Sequence, residues 1–261
     1  CGWSLLRRLF GRKVAWIAAS LWAIDPFFLT NSKSLHLDAT LATLMVLSAL
    51  WMLVYLRERR WRQLLLSAIL GGLAISTKIS AVFLFPFWGL CLFIDGLSSL
   101  RNPQSLISSL QHAIPRLFLW LLIAAVVFFV LWPALWVRPG DSFSWLINEG
   151  VLLHKDAVRN QPLFYRSTLD VQDPGPRFYV DTVLFRTTFL TLPFFGVGLL
   201  ALWRRPREEN LSLLLLVGFA VFFSVQMSLS GWKDGRYVLP VLLAIDVLAA
   251  CGLDWWTGRL P

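Results

Sequence analysis

Residues 38–56 read DATLATLMVLSALWMLVYL, and residues 57–60 that follow read RERR. The run is apolar almost throughout and is about as long as a helix must be to cross the hydrocarbon core of a bilayer. It begins at an acid and ends against arginines, which are enriched on the cytoplasmic side of membrane spans. The stretch therefore predicts a transmembrane helix with Asp38 at its outer end and Arg57 at its inner end.

Seven further apolar runs of similar character predict the rest of the architecture. Together with 38–56 they give about eight spans: 14–30, 38–56, 64–77, 79–95, 116–137, 184–203, 211–229 and 238–253. Gly71-Gly72 interrupts the third run, and Lys78 predicts a turn between the third and the fourth. We predict an all-α polytopic membrane protein, with residues 1–261 as one membrane-embedded domain.

The composition supports a lipid environment. The 261 residues are 57% hydrophobic and 15% charged, with a mean hydropathy of +0.65, whereas soluble domains are about 45–50% apolar and about 25% charged. A soluble enzyme and a disordered chain are both excluded by this excess of apolar residues. The 14 Trp residues also suit a membrane protein, because their rings favour the membrane interfaces.

The positive charges predict the orientation, because short inner loops of membrane proteins are enriched in Lys and Arg. Of the 24 Lys and Arg residues, 14 fall on inner segments if the N-terminal end is inside. The short outer loops hold four, which are Lys33, Lys78, Lys233 and Arg236. The other six lie on 138–186, the one long connection. We therefore predict that 138–183 is an outer, extracytoplasmic loop, and we read the net charge of +9 mainly as a topology signal.

Polar residues that could carry chemistry fall on the predicted outer side. They are Asp25, Lys33, His36 and Asp38 before the second span, Ser76 to Lys78 after the third, and Lys233 to Tyr237 before the last. Polar groups in or beside spans are costly and are functional candidates for that reason. The inner loops hold arginines without a comparable mixture of acid, base, His and Tyr, so we predict an active or binding site at the outer face.

Asp38 and His36 allow two interpretations each. Asp38 begins a span, where a carboxylate is favourable at the helix N-terminus, or it faces a polar cavity and orients a substrate hydroxyl or a cation. His36 is two residues away, so the pair does not share a helix face, and we predict no metal site. Asp25 precedes Pro26, so a bend in the span with the acid at the interface is the simpler interpretation.

The outer cations also have two interpretations. Lys78 either extends its amine to the headgroups or contacts a lipid phosphate. Lys233 to Tyr237, KDGRY, is either a solvated turn or a phosphate site. We favour the phosphate site for this second cluster, since Arg binds phosphate in a bidentate manner and Tyr237 lies beside it.

Several other chemistries lack their motifs. No glycine-rich nucleotide loop and no GxSxG or HExxH sequence is present, and the basic residues are divided among short inner loops, which argues against nucleic-acid binding. Cys91 and Cys251 lie in apolar runs and suggest no disulfide framework. Cys1 at the first position is compatible with a lipoprotein, but the Arg-rich flank that follows favours a piece of a longer membrane protein.

Four motifs, the third of them made of two segments, resemble GT-C glycosyltransferases of the protein O-mannosyltransferase and aminoarabinose-transferase type. Residues 25–47, DPFFLTNSKSLHLDATLATLMVL, resemble the span with an Asp at its head. Residues 71–86, GGLAISTKISAVFLFP, resemble a GLA–x–x–x–K–x–x–A hairpin with Lys78 at the basic position. WPALW at 132–136 together with DPGPRFY at 173–179, and KDGRYVLP at 233–240, follow in the expected order. The resemblance extends over nearly the whole chain.

The resemblance implies a GT-C-like fold and inverting transfer of a hexose- or mannose-like sugar from a polyprenyl- or dolichyl-phosphate donor. It implies donor or phosphate contacts for Lys33, His36, Lys78, Lys233, Arg236 and Tyr237, a supporting role for Asp38, and no cofactor or metal. The catalytic base of this family lies in an earlier outer loop, so we expect it upstream of residue 1. The resemblance also implies an integral protein of a bacterial or archaeal plasma membrane whose partners are the bilayer and a protein, lipid or glycan acceptor.

Two other classes remain open from the residues alone. A transporter or flippase for a lipid-linked or small solute predicts internal repeats and polar groups near the midplane, whereas the polar groups here lie at one face. A non-catalytic membrane scaffold predicts that the outer cations can be replaced without loss of function.

Overall fold

The computed structural model is helical and describes residues 1–34, 36–98, 103–148, 163–165, 168–170, 173–204, 207–230 and 233–258. The first helices are α1 (Gly2–Phe10), α2 (Arg12–Ile24), α3 (Pro26–Lys33), α4 (Asp38–Glu58), α5 (Trp61–Thr77), α6 (Leu84–Ser98) and α7 (Pro103–Leu131). The later ones are α8 (Ala134–Val137), α9 (Pro139–Ile147), α10 (Phe178–Arg186), α11 (Thr191–Arg204), α12 (Arg207–Leu229) and α13 (Leu239–Thr257). Short 3-10 helices precede α6 (Ile79–Phe83) and α13 (Gly235–Val238).

The long apolar helices confirm a polytopic membrane protein, but not eight spans. In the described residues, four helices are long and apolar enough to cross a membrane: Asp38–Glu58, Ala113–Leu131, Asn210–Leu229 and Gly235–Thr257. Two bent pairs, α2 with α3 and α10 with α11, raise this number to six. The runs 64–77 and 79–95 do form helical segments, but each is shorter than a full span because the chain breaks at Lys78.

Each of the breaks has a local cause in the sequence. At Asp25 the chain bends by 54° between α2 and α3; Pro26 begins α3, and the Asp25 carboxylate accepts a hydrogen bond from the Phe28 amide at 2.5 Å. The proline bend is therefore confirmed; Asp25 is buried, and its position at the membrane interface stays a prediction. The predicted span 184–203 is divided by a bend of 112° between Arg186 and Thr191. The predicted span 116–137 ends at Leu131, before Pro133.

Large apolar side chains remain exposed on the outer surface of the bundle. On α7, Phe118, Leu122, Val126 and Phe129 are each at least half exposed and recur at intervals of three or four residues. Such a continuous apolar stripe is unfavourable in water but suits contact with lipid or with another apolar surface. The sequence-based prediction of an integral membrane protein is confirmed by this arrangement.

Hydrogen bonds between polar side chains and neighbouring helices join three helices of the bundle. Ser48 on α4 and Ser67 on α5 each donate a hydrogen bond to the backbone carbonyl of the other, at 2.8 and 2.9 Å. The indole nitrogen of Trp120 on α7 donates to the Ser67 hydroxyl at 3.1 Å. Hydrogen bonds of this kind join transmembrane helices, because lipid offers no alternative partner. They fix α4, α5 and α7 together.

Glycines allow two pairs of helices to approach closely. The sequence suggested that Gly71 and Gly72 interrupt the third apolar run, but α5 is continuous through both residues. They lie against Trp120 and the Ala124 carbonyl of α7. On α11, a Cβ placed at Gly198 would lie 2.3 Å from the carbonyl oxygen of Leu248 on α13. Small residues at helix crossings are the usual means of close packing in membranes.

Replacement of Gly198 by valine is expected to destabilise the protein by about 1–3 kcal/mol, because the added atoms overlap the α13 backbone and the two helices must separate. The measurement is thermal unfolding of the purified protein in detergent. Gly196→Val is the matched control on the same helix, since nothing lies within 4 Å of a Cβ at that position. Equal loss of stability in both variants would contradict the close-packing account.

The predicted outer loop 138–183 is described only in part. Helix α9 occupies its first part, and residues 149–162 lie outside the described residues. Strands β1 (Leu163–Tyr165) and β2 (Thr168–Asp170) form an antiparallel hairpin in which Phe164 pairs with Leu169. Helix α10 begins at Phe178, before the predicted end of the loop. The location of this segment outside the membrane stays a prediction.

Candidate functional site

Three chain breaks bring charged side chains together at one end of the bundle. Asp38 is the first residue of α4, Lys78 follows α5, and Arg236 lies in the 3-10 turn before α13. The Lys78 amine lies 2.8 Å from Asp38 Oδ1, and Arg236 Nε lies 3.3 Å from Asp38 Oδ2. One carboxylate therefore holds two cations from different helices, and we call Asp38, Lys78, Arg236 and Tyr237 the Asp38 cluster.

Tyr237 and Asp234 complete the surroundings of the two cations. The Lys78 amine lies 3.7 Å from the centre of the Tyr237 ring, which is a close cation–π distance. Asp234 caps the 3-10 turn by accepting from the Arg236 amide at 3.1 Å, and its other oxygen lies 3.3 Å from Arg236 Nε. The cations are thus oriented by two acids and a ring.

The two cations are more exposed than the acid that they share. The Asp38 side chain is 7% exposed, whereas those of Lys78 and Arg236 are 33% and 25% exposed. The carboxylate is therefore buried, while both cations keep part of their surface accessible.

Burial lowers the pKa of Lys78 from its usual value of 10.5, and the Asp38 carboxylate partly opposes this change. If the charge of Lys78 is needed, activity should fall in alkaline solution as the pH rises through this lowered pKa. Lys78→Arg retains a positive charge at all accessible pH values, so its activity profile should lose the alkaline decline. A pH–rate profile of both proteins tests this, and an identical decline in both would assign it to another group.

A cavity of about 970 Å³ lies against the Asp38 cluster. Its wall is formed by α3, α10, the β1 strand and the turn before α13. The lining residues are Phe27, Asn31, His36, Tyr165, Arg177, Phe178, Asp181, Thr182, Phe185, Arg186, Asp234, Gly235 and Arg236. Arg236 belongs to both the Asp38 cluster and this lining, so the cavity adjoins the cluster at Arg236.

The cavity carries an excess of positive charge. Arg177 is paired with Asp181 at 3.3 Å, and Asp181 also accepts a hydrogen bond from the Tyr165 hydroxyl at 2.6 Å. Arg186 instead lies over the Phe27 ring at 4.9 Å and has no carboxylate within ion-pair distance among the described residues. Three arginines thus face two aspartates, which favours an anionic ligand.

Lys233 lies close in sequence to the cluster but makes different contacts. Its side chain is fully buried, and its amine lies 2.5 Å from Asp173 Oδ1 and 2.9 Å from the Ser230 carbonyl. Asp173 also accepts from the Gly175 amide at 3.0 Å, within the DPGP turn. Lys233 therefore joins the segment before α13 to the segment before α10 and positions the cavity wall.

The remaining candidates are placed differently. His36 lines the cavity, whereas Lys33 is exposed at the end of α3 and does not contribute to the lining. Asp38 lies in the first turn of α4, and the Lys78 amine contacts Asp38 and the Tyr237 ring. The helix-terminus interpretation of Asp38 therefore fits the structure, and a contact of Asp38 or Lys78 with a ligand stays a prediction.

Several lining residues were not singled out from the sequence. Arg177 stood within the quoted DPGPRFY segment without a role, and Arg186 was counted only as one of six cations on the long connection. Its position in VLFRTTF, where an apolar run meets the predicted outer side, was the available signal. Tyr165, Asp181 and Phe27 carry no motif, because only the folding of α3, β1 and α10 around the cavity brings them together.

Comparison with known proteins agrees with this architecture. The structure resembles the crystal structure of ArnT from Cupriavidus metallidurans bound to undecaprenyl phosphate, with a TM-score of 0.68 and 21% sequence identity. The apo structure of the same ArnT gives a TM-score of 0.63 and 20% identity. Each match covers all of this chain, which spans 43% of the ArnT chain. The GT-C fold implied by the sequence resemblance is thereby confirmed.

Sequence comparison identifies the family to which the chain belongs. No curated protein sequence matches the chain significantly. However, residues 1–137, just over half of the chain, match the profile of the family described as dolichyl-phosphate-mannose-protein mannosyltransferase. This matched region contains Asp38 and Lys78, the first two members of the Asp38 cluster. The chain therefore belongs to the dolichyl-phosphate-mannose-protein mannosyltransferase family of membrane glycosyltransferases.

Proposed function

We propose that this chain forms the donor-binding part of a glycosyltransferase that moves a sugar from a polyprenyl-phosphate donor to an acceptor at the extracytoplasmic face of a plasma membrane. The observation that carries the proposal is the Asp38 cluster, in which one buried carboxylate contacts two partly exposed cations and one of them, Arg236, lines a positively charged cavity. Family membership and the ArnT-like fold support the same assignment.

The chemistry explains why cations are placed there. An acceptor oxygen attacks the anomeric carbon while the bond between that carbon and the phosphate oxygen breaks, which inverts the anomeric centre. The lipid phosphate leaves with an additional negative charge, and the acceptor proton passes to a base. Positive groups that are already oriented toward the leaving phosphate stabilise this charge without reorganising, which is commonly the largest contribution in such transfers.

We assign Lys78 and Arg236 to the donor phosphate. The Arg236 guanidinium can donate hydrogen bonds to two phosphate oxygens. The Tyr237 ring contacts the Lys78 amine and helps to hold it near Arg236. Asp38 acts as the supporting acid that sets the separation of these two cations. In this proposal His36 contacts the sugar from the cavity wall, Lys233 acts indirectly through Asp173, and Lys33 receives no role.

We assign the role of general base to none of the carboxylates at the Asp38 cluster or the cavity. Asp38, Asp181 and Asp234 are each within 3.3 Å of a cation, and in this proposal they orient those cations. The chain spans 43% of ArnT, and the expectation that the base lies upstream of residue 1 remains part of the proposal. The sugar is proposed to be hexose- or mannose-like on the basis of the sequence resemblance.

The topology proposal follows from the charges. The 14 inner cations place the N-terminal end in the cytoplasm, which puts the Asp38 cluster and segment 138–183 on the outer side. A cysteine introduced at His36, which is exposed, should react with a membrane-impermeant maleimide added to intact cells. A cysteine at Arg62, also exposed, should react only after the cells are opened.

The transfer reaction itself is tested with the full-length protein in lipid vesicles. Transfer of a radiolabelled sugar from polyprenyl-phosphate sugar to membrane acceptors should depend on the protein and release the free lipid phosphate. A flippase would instead move the intact labelled lipid from one leaflet to the other without breaking the sugar–phosphate bond. Movement without bond cleavage would overturn the proposal in favour of transport.

A further inference from the structure

A second cavity lies at the opposite end of the bundle from the Asp38 cluster. It has a volume of about 650 Å³ and lies among α1, the start of α2, the last turns of α4 and α13, and the first part of α12. Asp38 begins α4, whereas Leu53, Leu56 and Arg57 of the same helix line this cavity. Because α4 has 21 residues, the two sites are separated by about 30 Å along the helix.

The rim of this cavity is positively charged. Arg7, Arg8 and Arg57 contribute to it, and none of the three has an ion-pair partner among the residues that the structure describes. Asp254, which also lies at the cavity, is 3.3 Å from the Lys13 amine, and its charge is compensated there. Within the described part of the chain, three positive charges at this cavity therefore have no counter-charge.

Arg57 is held in place by the end of α1. Its Nη1 donates hydrogen bonds to the backbone carbonyls of Arg8 and Leu9, both at 3.0 Å. These bonds satisfy carbonyls that the end of a helix leaves without intrahelical partners. They also orient the guanidinium toward the cavity rim while its other N–H groups remain available, so at least one of the three cations has a fixed position.

Apolar side chains also line the cavity. Leu53 and Leu56 of α4 and Leu213 and Leu215 of α12 contribute to the lining and are buried. Arginines beside apolar side chains, between the ends of membrane helices, are the two parts of a phospholipid binding site. A free phosphate would use the arginines alone and would leave the apolar lining without a partner.

We propose that this cavity binds an anionic phospholipid of the leaflet that faces the inner end of the bundle. The phosphodiester would lie among Arg7, Arg8 and Arg57, and the first part of an acyl chain would occupy the leucine-lined interior. The positive-inside rule explains why arginines are abundant at this end, but it does not require three unpaired arginines around an apolar cavity. The site does not depend on the proposed transfer reaction.

The test measures lipid binding to the full-length protein in a neutral detergent. Dioleoylphosphatidylglycerol should raise the unfolding temperature and be retained in native mass spectrometry, whereas the zwitterionic dioleoylphosphatidylcholine should do so much less. The double variant Arg7→Gln/Arg8→Gln should weaken the apparent affinity for phosphatidylglycerol by about tenfold. Glycerol phosphate, which carries the anionic group without acyl chains, should not reproduce the effect.

A charge-matched control separates this site from general attraction to the surface. Arg12→Gln/Arg62→Gln also removes two exposed arginines from the inner end, but neither residue lines the cavity. Equal weakening by both double variants would overturn the proposal. Equal stabilisation by glycerol phosphate would also overturn it, because the occupant would then be a free anion.

A second pair of variants tests the cavity itself without changing charge. Ser212→Trp places a large ring in the cavity, since Ser212 lines it, and should prevent retention of phosphatidylglycerol. Leu214→Trp is the control on the same helix, because Leu214 does not line the cavity and is 40% exposed. Retention of the lipid by a folded Ser212→Trp variant would place it elsewhere. If that variant does not fold, the comparison of the arginine pairs decides the proposal.

Discussion

Replacement of Arg236 by glutamine is expected to lower sugar transfer by about 100- to 1000-fold, the usual effect of removing one electrostatic contact to a developing anion. Arg236 is the residue that belongs to both the Asp38 cluster and the positively charged cavity. Glutamine is close in size and retains hydrogen-bonding groups, so the loss measures the charge. The measurement is the initial rate of transfer from polyprenyl-phosphate sugar by the full-length protein.

Two further variants make this result specific. Arg236→Lys retains the charge but loses the planar fork of donors, so its activity should lie between those of the wild type and Arg236→Gln. Arg62→Gln removes an exposed arginine at the other end of the bundle and should leave the rate within about twofold of the wild type. Transfer by Arg236→Gln at the Arg62→Gln rate would falsify the assignment of Arg236 to the donor phosphate.

Replacement of Asp38 by asparagine is expected to lower the turnover number about 100-fold without weakening the binding of the lipid phosphate. Asp38 lies between Lys78 and Arg236 and is the anion that both contact. Its removal makes the site more positive, so a phosphate should bind at least as well. The separation of the two cations is then no longer fixed, and their alignment with the leaving phosphate is lost.

The split between turnover and binding identifies the role of Asp38. Binding of undecaprenyl phosphate is measured by calorimetry, turnover by the transfer assay, and folding by thermal unfolding. Loss of the hydrogen bond between Lys78 and Asp38 should cost about 1.5–3 kcal/mol of stability. Asp95→Asn, which breaks the Arg59–Asp95 ion pair at 2.7 Å, controls for loss of a salt bridge away from the site. A parallel loss of binding and turnover would show that Asp38 contacts the donor directly.

Much of the fold could be predicted because lipid imposes a simple rule on the sequence. Each long apolar run, including 38–56 and 211–229, became a helix because a backbone in lipid must satisfy its hydrogen bonds internally. Hydropathy does not record bends, so nothing in the sequence indicates the turn of 112° between α10 and α11. The predicted eight spans are not confirmed, because the described residues contain four full spans, or six if each bent pair is one span.

The candidate site was predictable in part. Asp38, Lys78, Arg236 and Tyr237 could be selected because charges on the predicted outer side contradict the ordinary distribution of Lys and Arg. The contacts among these residues could not be predicted from the sequence, because the cluster joins residues up to about 200 positions apart. Lys233 illustrates this limit. The motif around it resembles a phosphate site, but its side chain is buried against Asp173 and positions the cavity wall.

The sequence by itself determined that this chain lies in a membrane, which end of the bundle carries the mixed polar residues, and the family to which the chain belongs. These properties follow from local composition, because hydropathy and charge act on each segment separately. Only the tertiary structure decided that one buried carboxylate orients two cations, that Arg177 and Arg186 line the adjoining cavity, and that a second basic cavity lies at the other end. Those properties depend on the packing of distant helices, which no single segment encodes.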